Sequence, residues 1–274
     1  MRDISARWPS VLFGTSAGPV RRLIGAFGAV VILGLSLAFP RTTLAAGTAS
    51  CSDIYHSYWR GQQVGGVGTK HGASGTASGY ALQICTSPVG ISTDGSWYFS
   101  NVVSNTHAAN DIIQVGYGQE RCPFCPQGEN YFVAWGRTGN EPGGCEGLSD
   151  RSPTSSSVGT SPAGSHTYGV NHVANEWRFY IDGAVKGTSV PEGSICWSPS
   201  YAVWFSETWD FGDQMGGLAG DKLHVTGTTY QNTEGGGFVY TSFNSANACN
   251  YVANGSPYFC DVTTTTSLDF WTSR

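Results

Sequence analysis

The sequence predicts an all-β protein folded as an antiparallel β-sandwich, and three observations carry that expectation. Only 12% of its 274 residues are charged, while 38 are glycine and 13% are aromatic, a balance suited to turn-rich sheets and poor for long surface helices. Short apolar runs alternate at close spacing with clusters of Gly, Ser, Asn and Pro, as in sandwiches and barrels. "NEWRFYIDGAVKG" reads as a hairpin: Trp177, Phe179 and Ile181 alternate with Arg178, Tyr180 and Asp182. Asp182-Gly183 then turns the chain back through Ala184 and Val185.

Taken in order, the expected strands are "YALQICTS", "SWYFSNVV", "DIIQVGYG", "NYFVAWGR", "HTYGVNHV", "EWRFYIDG", "YAVWFSET", "KLHVTGTTY" and "GFVYTSF". The long low-complexity stretch "DRSPTSSSVGTSPAGSH", Asp150 to His166, is expected to be a surface loop within the domain. No internal repeat or domain boundary interrupts the pattern. The hairpin at Asp182-Gly183 resembles those of lectin-like sandwiches, which makes a concanavalin A-like jelly roll the expected form. Such a fold hosts binding modules and enzymes alike, so it assigns no function.

Ahead of the strands, Arg21-Arg22 precede "LIGAFGAVVILGLSLAF", and "TLAAGTAS" follows with small residues. This is the three-part layout of a secretory signal, giving a signal peptide over 1–46 and a single β-sandwich domain over 47–274. A retained membrane anchor is the alternative, because the apolar run approaches spanning length. On the first reading the protein is secreted and keeps no stable membrane association after cleavage. All eight cysteines, Cys51, Cys85, Cys122, Cys125, Cys145, Cys196, Cys249 and Cys260, follow this segment. An even number in an exported chain points to disulfides. "CPFC" at Cys122–Cys125 raises zinc, but a four-ligand site needs a second closely spaced Cys or His pair, and none is visible. No metal and no cofactor is expected. A net charge of −5 without a Lys/Arg cluster beyond Arg21-Arg22 offers no footprint for nucleic acid.

"CNYVANGSPYFC" predicts one specific bridge. Asn254-Gly255 is a strong two-residue hairpin signal, and counting outward from it sets Cys249 opposite Cys260. Pro257 then falls where its missing N–H is not needed. The cysteines form a hydrogen-bonded pair about 5.5 Å apart at Cα, within disulfide range.

Two polar residues stand out inside apolar strands. In "DIIQVGYGQE", Ile113, Val115 and Tyr117 share one face, while Ile112, Gln114 and Gly116 share the other. Gln114 beside a glycine without side-chain bulk suits the floor of a groove that a ligand approaches closely. In "SYAVWFSETWDFGDQMGG", Glu207 sits among Trp204, Phe205 and Trp209, surroundings that disfavour its ionised form, with a strand-end Glu that simply faces water as the alternative. Trp135, Trp204 and Trp209 are candidates for lining a substrate groove, with core packing the alternative for each. Asp210 and Asp213 either anchor the following loop or act on Glu207 as like charges. The six histidines form no HExxH or matched metal pair.

The segment "IIQVGYGQERCPFCPQGENYFVAWGRTGNEPGGCEG", the strand "HTYGVNHVANEWRFYIDG" and "WFSETWDFGDQMGG" together resemble the neprosin family, over roughly Ile112 to Val225. Gln114 and Glu207 are also similar in position to the Gln and Glu of the related fungal glutamic peptidases, the eqolisins. Neprosin-type proteins usually carry Glu where Gln114 stands. Their double Gly before the second Glu is Phe205-Ser206 here, and their Gly-Ser-Gly after the Met is Gly216-Gly217-Leu218. The resemblance implies a glutamic endopeptidase acting on peptide or protein substrates in acid. Its expected chemistry has Glu207 take a proton from attacking water and return it to the leaving amine, while the Gln114 amide binds the developing oxyanion and the same water. The alternative is a lectin-like carbohydrate-binding sandwich, with Trp and Tyr stacking on sugars. A sandwich-type glycoside hydrolase is weaker still, because no tight strand of paired carboxylates is visible.

Overall fold

The computed structural model describes residues 58–79, 84–85, 94–103, 111–121, 129–135, 154–160, 164–195, 197–244, 249–253 and 257–273. All of them belong to one compact unit, Ala45–Arg274. The expected signal segment and the "CPFC" motif lie outside the described residues.

The strands in chain order are β1 (Tyr58–Gly65), β2 (Gly72–Ala77), β3 (Asp94–Val103), β4 (Ile112–Arg121), β5 (Glu129–Trp135), β6 (Thr154–Thr160), β7 (His166–Val173) and β8 (Glu176–Ile181). They continue with β9 (Ala184–Pro191), β10 (Tyr201–Thr208), β11 (Gly217–Leu218), β12 (Leu223–Gln231), β13 (Val239–Tyr240), β14 (Tyr251–Ala253), β15 (Tyr258–Thr264) and β16 (Ser267–Thr272). One 3₁₀ turn, Glu192–Ser194, is the only helical element among the described residues. The fold is all-β, as the composition predicts. A seven-stranded sheet runs in the order β14-β1-β10-β3-β4-β5-β6, and a nine-stranded sheet follows β11-β16-β12-β2-β7-β8-β9, with β13 on β12 and β15 on β16.

The two sheets pack through alternate residues of each strand. Tyr98, Val115, Tyr117 and Trp204 of the first sheet meet Tyr168, Trp177, Phe179 and Phe270 of the second, all of them buried. The Tyr168 ring lies 5.9 Å from Tyr98 and 5.6 Å from Tyr117. Burying each such side chain contributes roughly 1.5–3 kcal/mol. Trp204 also satisfies its indole N–H on the Ser74 carbonyl at 2.8 Å, as a buried Trp must. The hairpin between β8 and β9 matches its expectation: Asp182 (φ 51°) and Gly183 (φ 77°) turn the chain between the paired Ile181 and Ala184. Two consecutive positive φ values give the type I′ geometry that follows the natural strand twist.

Three expectations change. The Ser/Thr-rich segment from Asp150 to His166 holds β6, which pairs with β5 as the edge of the seven-stranded sheet. Backbone hydrogen bonding suffices at an edge, where side chains need not be apolar. Of "YALQICTS", only Ile84 and Cys85 are described, and neither lies in a strand. The Cys249–Cys260 disulfide is present, with Cα atoms 5.8 Å apart, but its arms do not pair as a hairpin. β14 pairs with β1 in one sheet and β15 pairs with β16 in the other, so the bridge joins the two sheets. The Asn254-Gly255 turn lies outside the described residues. Cys85 is also disulfide-bonded, and no described cysteine is free.

Candidate active site on the outer face

The seven-stranded sheet turns its second set of alternate residues away from the nine-stranded sheet, and that outer face is strongly aromatic. Trp97, Phe99, Phe132, Val203 and Phe205 are buried on it, with Trp59, Tyr201, Trp209 and Tyr251 packed against them. Gln114 and Glu207 both lie on this face. The pairing Gln114↔Asn101 and Asn101↔Val203 puts Gln114 in one row with Val203 and, through β1, with Gln63. Glu207 pairs with Trp97 and Trp59, and Trp97 with Gly118. The two rows therefore stand four residues apart along the strands.

Strand geometry turns that offset into distance. Four residues at about 3.4 Å and two strand spacings of about 4.8 Å separate the Cα atoms of Gln114 and Glu207 by roughly 17 Å. Two hydrogen bonds to one water join side-chain atoms only about 6 Å apart, and two extended side chains reaching toward each other add roughly 9–10 Å, short of that separation. The common face matches the expectation, whereas amide and carboxylate on a single water do not follow from this register. Counting alternation along a strand gives the face but not the row, because the row depends on how β4 and β10 are each registered against β3.

Glu207 is half-buried, and its cross-strand neighbours are Trp59 on β1 and Trp97 on β3. The Trp209 ring packs 4.5 Å from that of Trp97. Tyr251, 6.2 Å from Trp59 and 5.5 Å from Phe205 between ring centroids, has its hydroxyl pKa pushed up by burial and then by the charge of Glu207. The loop after Glu207 is clamped by Asp213, which is fully buried. Its carboxylate accepts from the N–H of Cys85 at 2.8 Å, the N–H of Asp210 at 3.2 Å and the Thr208 hydroxyl. Asp210 accepts from the Gly212 N–H at 2.6 Å, and the Tyr258 hydroxyl donates to the Asp210 carbonyl at 2.8 Å. Both aspartates thus anchor the loop that carries Trp209, the first of the two roles their sequence context allowed.

Gln114 is only 6% exposed, and its Oε1 has no hydrogen-bond partner. Asn101 accepts from the Ile113 N–H at 3.2 Å, yet its Nδ2 is unpartnered, as is Gln63 Oε1 in the same row. Two buried amides and the half-buried Gln63 thus leave one donor and two acceptors unmet at buried atoms, an arrangement that calls for polar partners. The glycines on this face do not leave the backbone open to a ligand as expected. A Cβ at Gly116 would lie 2.8 Å from Phe99 Cδ1, and one at Gly118 would lie 2.0 Å from Trp97 Cδ1. The protein's own aromatic rings fill those spaces.

Of the three tryptophans expected in a groove, only Trp209 is on this face. Trp204 is fully buried between the sheets. Trp135, paired with Ile113, packs against the same inner core. The sequence reading missed Trp59, Trp97, Tyr251 and Glu120. Trp97 and Phe99 alternate with Tyr98 in "SWYFSNVV", and a run apolar on both faces signals a strand covered on both sides. Among the described residues, no group of three or more His, Cys, Asp or Glu is arranged to hold a metal.

No protein-family model matches the chain, and no curated protein does. Among solved structures it is similar to scytalido-glutamic peptidase, determined with a transition state analog inhibitor. That match has 13% identity and a TM-score of 0.51, covering 80% of this chain and 100% of that one. A second match, porphyranase B from Zobellia galactanivorans, has 13% identity and a TM-score of 0.28, covering 59% and 62% of the two chains. At such identity, the first likeness shows a shared glutamic-peptidase-like sandwich fold.

Proposed function

We propose that the protein is an exported glutamic-type endopeptidase that hydrolyses peptide bonds in acid, with Glu207 as the base that activates water. The observation that carries this reading is a half-buried carboxylate whose cross-strand partners are Trp59 and Trp97, on the same sheet face as the unpartnered amide oxygen of Gln114. The sandwich shared with a glutamic peptidase supports it. Glu207 takes a proton from water as the water oxygen bonds to the substrate carbonyl carbon. Four residues along the face, Gln114 hydrogen-bonds the substrate backbone, where a neutral amide offers both donor and acceptor. Export fits the cysteines, all of which are paired among the described residues. No described helix is long and apolar enough to cross a membrane.

The test is cleavage of an acid-denatured protein by the purified full chain between pH 2 and 7. Glu207→Gln abolishes cleavage. Gln114→Ala raises KM more than it lowers kcat, because backbone binding is made in the ground state as well as in the transition state. A Glu207→Gln variant as active as the parent removes the assignment. The row of aromatic rings around Glu207 favours one second reading, a carbohydrate-stacking surface. Saturable binding of oligosaccharides without any peptide cleavage would select it.

A further inference from the structure

We propose that Glu120 is the second catalytic carboxyl of this face, giving its proton to the leaving amine while Glu207 takes one from the attacking water. The proposal rests on the peptidase reading above. The pairing that sets Gly118 opposite Trp97 continues to Glu120 opposite Gly95, so Glu120 is on the outer face. Trp209 donates its N–H to the Gly95 carbonyl at 3.1 Å, placing its backbone in the same row. Glu120 is thus two residues and two strands from Glu207. Its Cα–Cα separation of roughly 12 Å is well below the value of about 17 Å for Gln114.

The ring of Trp97, whose residue pairs with both Glu207 and Gly118, lies over β4 and the start of β3. A Cβ at Gly118 would meet its Cδ1 at 2.0 Å, and a Cβ at Gly95 its Cη2 at 2.1 Å. The pyrrole edge therefore runs along β4, on the strand that carries Glu120 two residues further on. Glu207 stands on β10, directly across from Trp97 on the other side of β3. A second set of groups on the same face asks for a polar ligand: the unpartnered buried amide atoms of Gln63, Asn101 and Gln114. Burial raises the pKa of Glu120, and the weaker opposing effect of the Trp97 hydrogen bond leaves a net upward shift. The group accordingly keeps its proton to higher pH than an ordinary glutamate. Among the described residues, the other ionisable side chains that the register places on this face are Glu207, Tyr251 and Tyr201.

The step balances. Water oxygen bonds to the carbonyl carbon as its proton passes to Glu207, then the C–N bond breaks as the Glu120 proton passes to nitrogen. The products are a carboxylic acid and an amine, and solvent returns one proton from Glu207 to Glu120.

The experiment compares kcat and its pH profile for the full chain, Glu120→Gln, Glu120→Asp and Glu207→Gln on one fluorogenic peptide, with near-ultraviolet circular dichroism reporting the fold. Glu120→Gln is expected to lower kcat by roughly 10²–10⁴-fold and to remove the alkaline limb of the bell. Glu120→Asp is expected to keep that limb. If the parent cleaves, Glu207→Gln is inert and Glu120→Gln keeps both limbs with kcat within about threefold, the role of Glu120 is refuted while the peptidase reading stands. If the parent cleaves nothing at any pH, both are overturned. Should Glu120→Gln misfold, an alkaline limb lost in Glu120→Asp with its fold intact also refutes the proposal.

Discussion

Gly118→Ala tests the packing that holds the outer face together. The added methyl would sit 2.0 Å from Trp97 Cδ1, 2.6 Å from its Cγ and 2.8 Å from the Ser96 carbonyl oxygen. All three are below any normal carbon contact, so the indole has to lift. It has little room, because Trp209 packs 4.5 Å away on the ring and Gly95 lies under its far edge. Overpacking of this kind costs about 1–3 kcal/mol. For a domain of this size a loss of about 2 kcal/mol lowers Tm by roughly 4–8 °C. Thermal unfolding followed by circular dichroism measures it, with Gly237→Ala as control, since a Cβ there meets nothing within 4 Å. A Gly118→Ala protein that melts within about 1 °C of its parent would mean that the Trp97 ring does not lie across Gly118.

Other consequences can be measured alongside. Asp213→Asn keeps the shape but replaces a charged acceptor of two N–H groups and a hydroxyl; a loss of about 1–3 kcal/mol is expected in urea unfolding, and an unchanged midpoint contradicts the loop clamp. The double variant Cys249→Ser/Cys260→Ser removes a bridge with a sequence separation of 11 and is expected to lose about 3 kcal/mol; peptide mapping that finds Cys249 linked elsewhere overturns the pairing. His71, whose Nδ1 lies 3.1 Å from that of His172, has its pKa lowered by burial, then by His172 and Lys70, against the opposing charges of Glu234 and Glu192. A base with a depressed folded pKa contributes stability that is present above its ordinary value of 6.5 and lost as pH falls through the folded value. His71→Asn should therefore flatten the loss of stability below pH 6.5, and an unaltered slope there refutes that role.

What could be read ahead of the structure follows from which signals are local. Alternation in "IIQVGYGQE" is local, and it assigns Ile113, Val115 and Tyr117 to the inner core and Gln114 to the outer face, as found. The turn at Asp182-Gly183 is equally local and equally well read. The row of Gln114 is not, because it depends on two registers against β3 that no short stretch contains. Trp204 and Glu207 looked like neighbours for the same reason: they are close in sequence, but odd spacing sends them to opposite faces of β10. β6 escaped notice because an edge strand of Ser and Thr carries no hydrophobic period. The Cys249–Cys260 bridge was found by a hairpin argument that the fold does not obey. A Cα separation of 5.8 Å arises here between Cys260 of β15 and Cys249, two residues ahead of β14 in the other sheet.

The measurement closest to the central claim is the rate at which full-length protein and its Glu207→Gln variant, both shown to be folded, cut an acid-denatured protein, with fragments identified by mass spectrometry. The account predicts defined internal cleavages by the parent in acid and none by the variant. Equal cleavage by both proteins, or no cleavage by either, would contradict it.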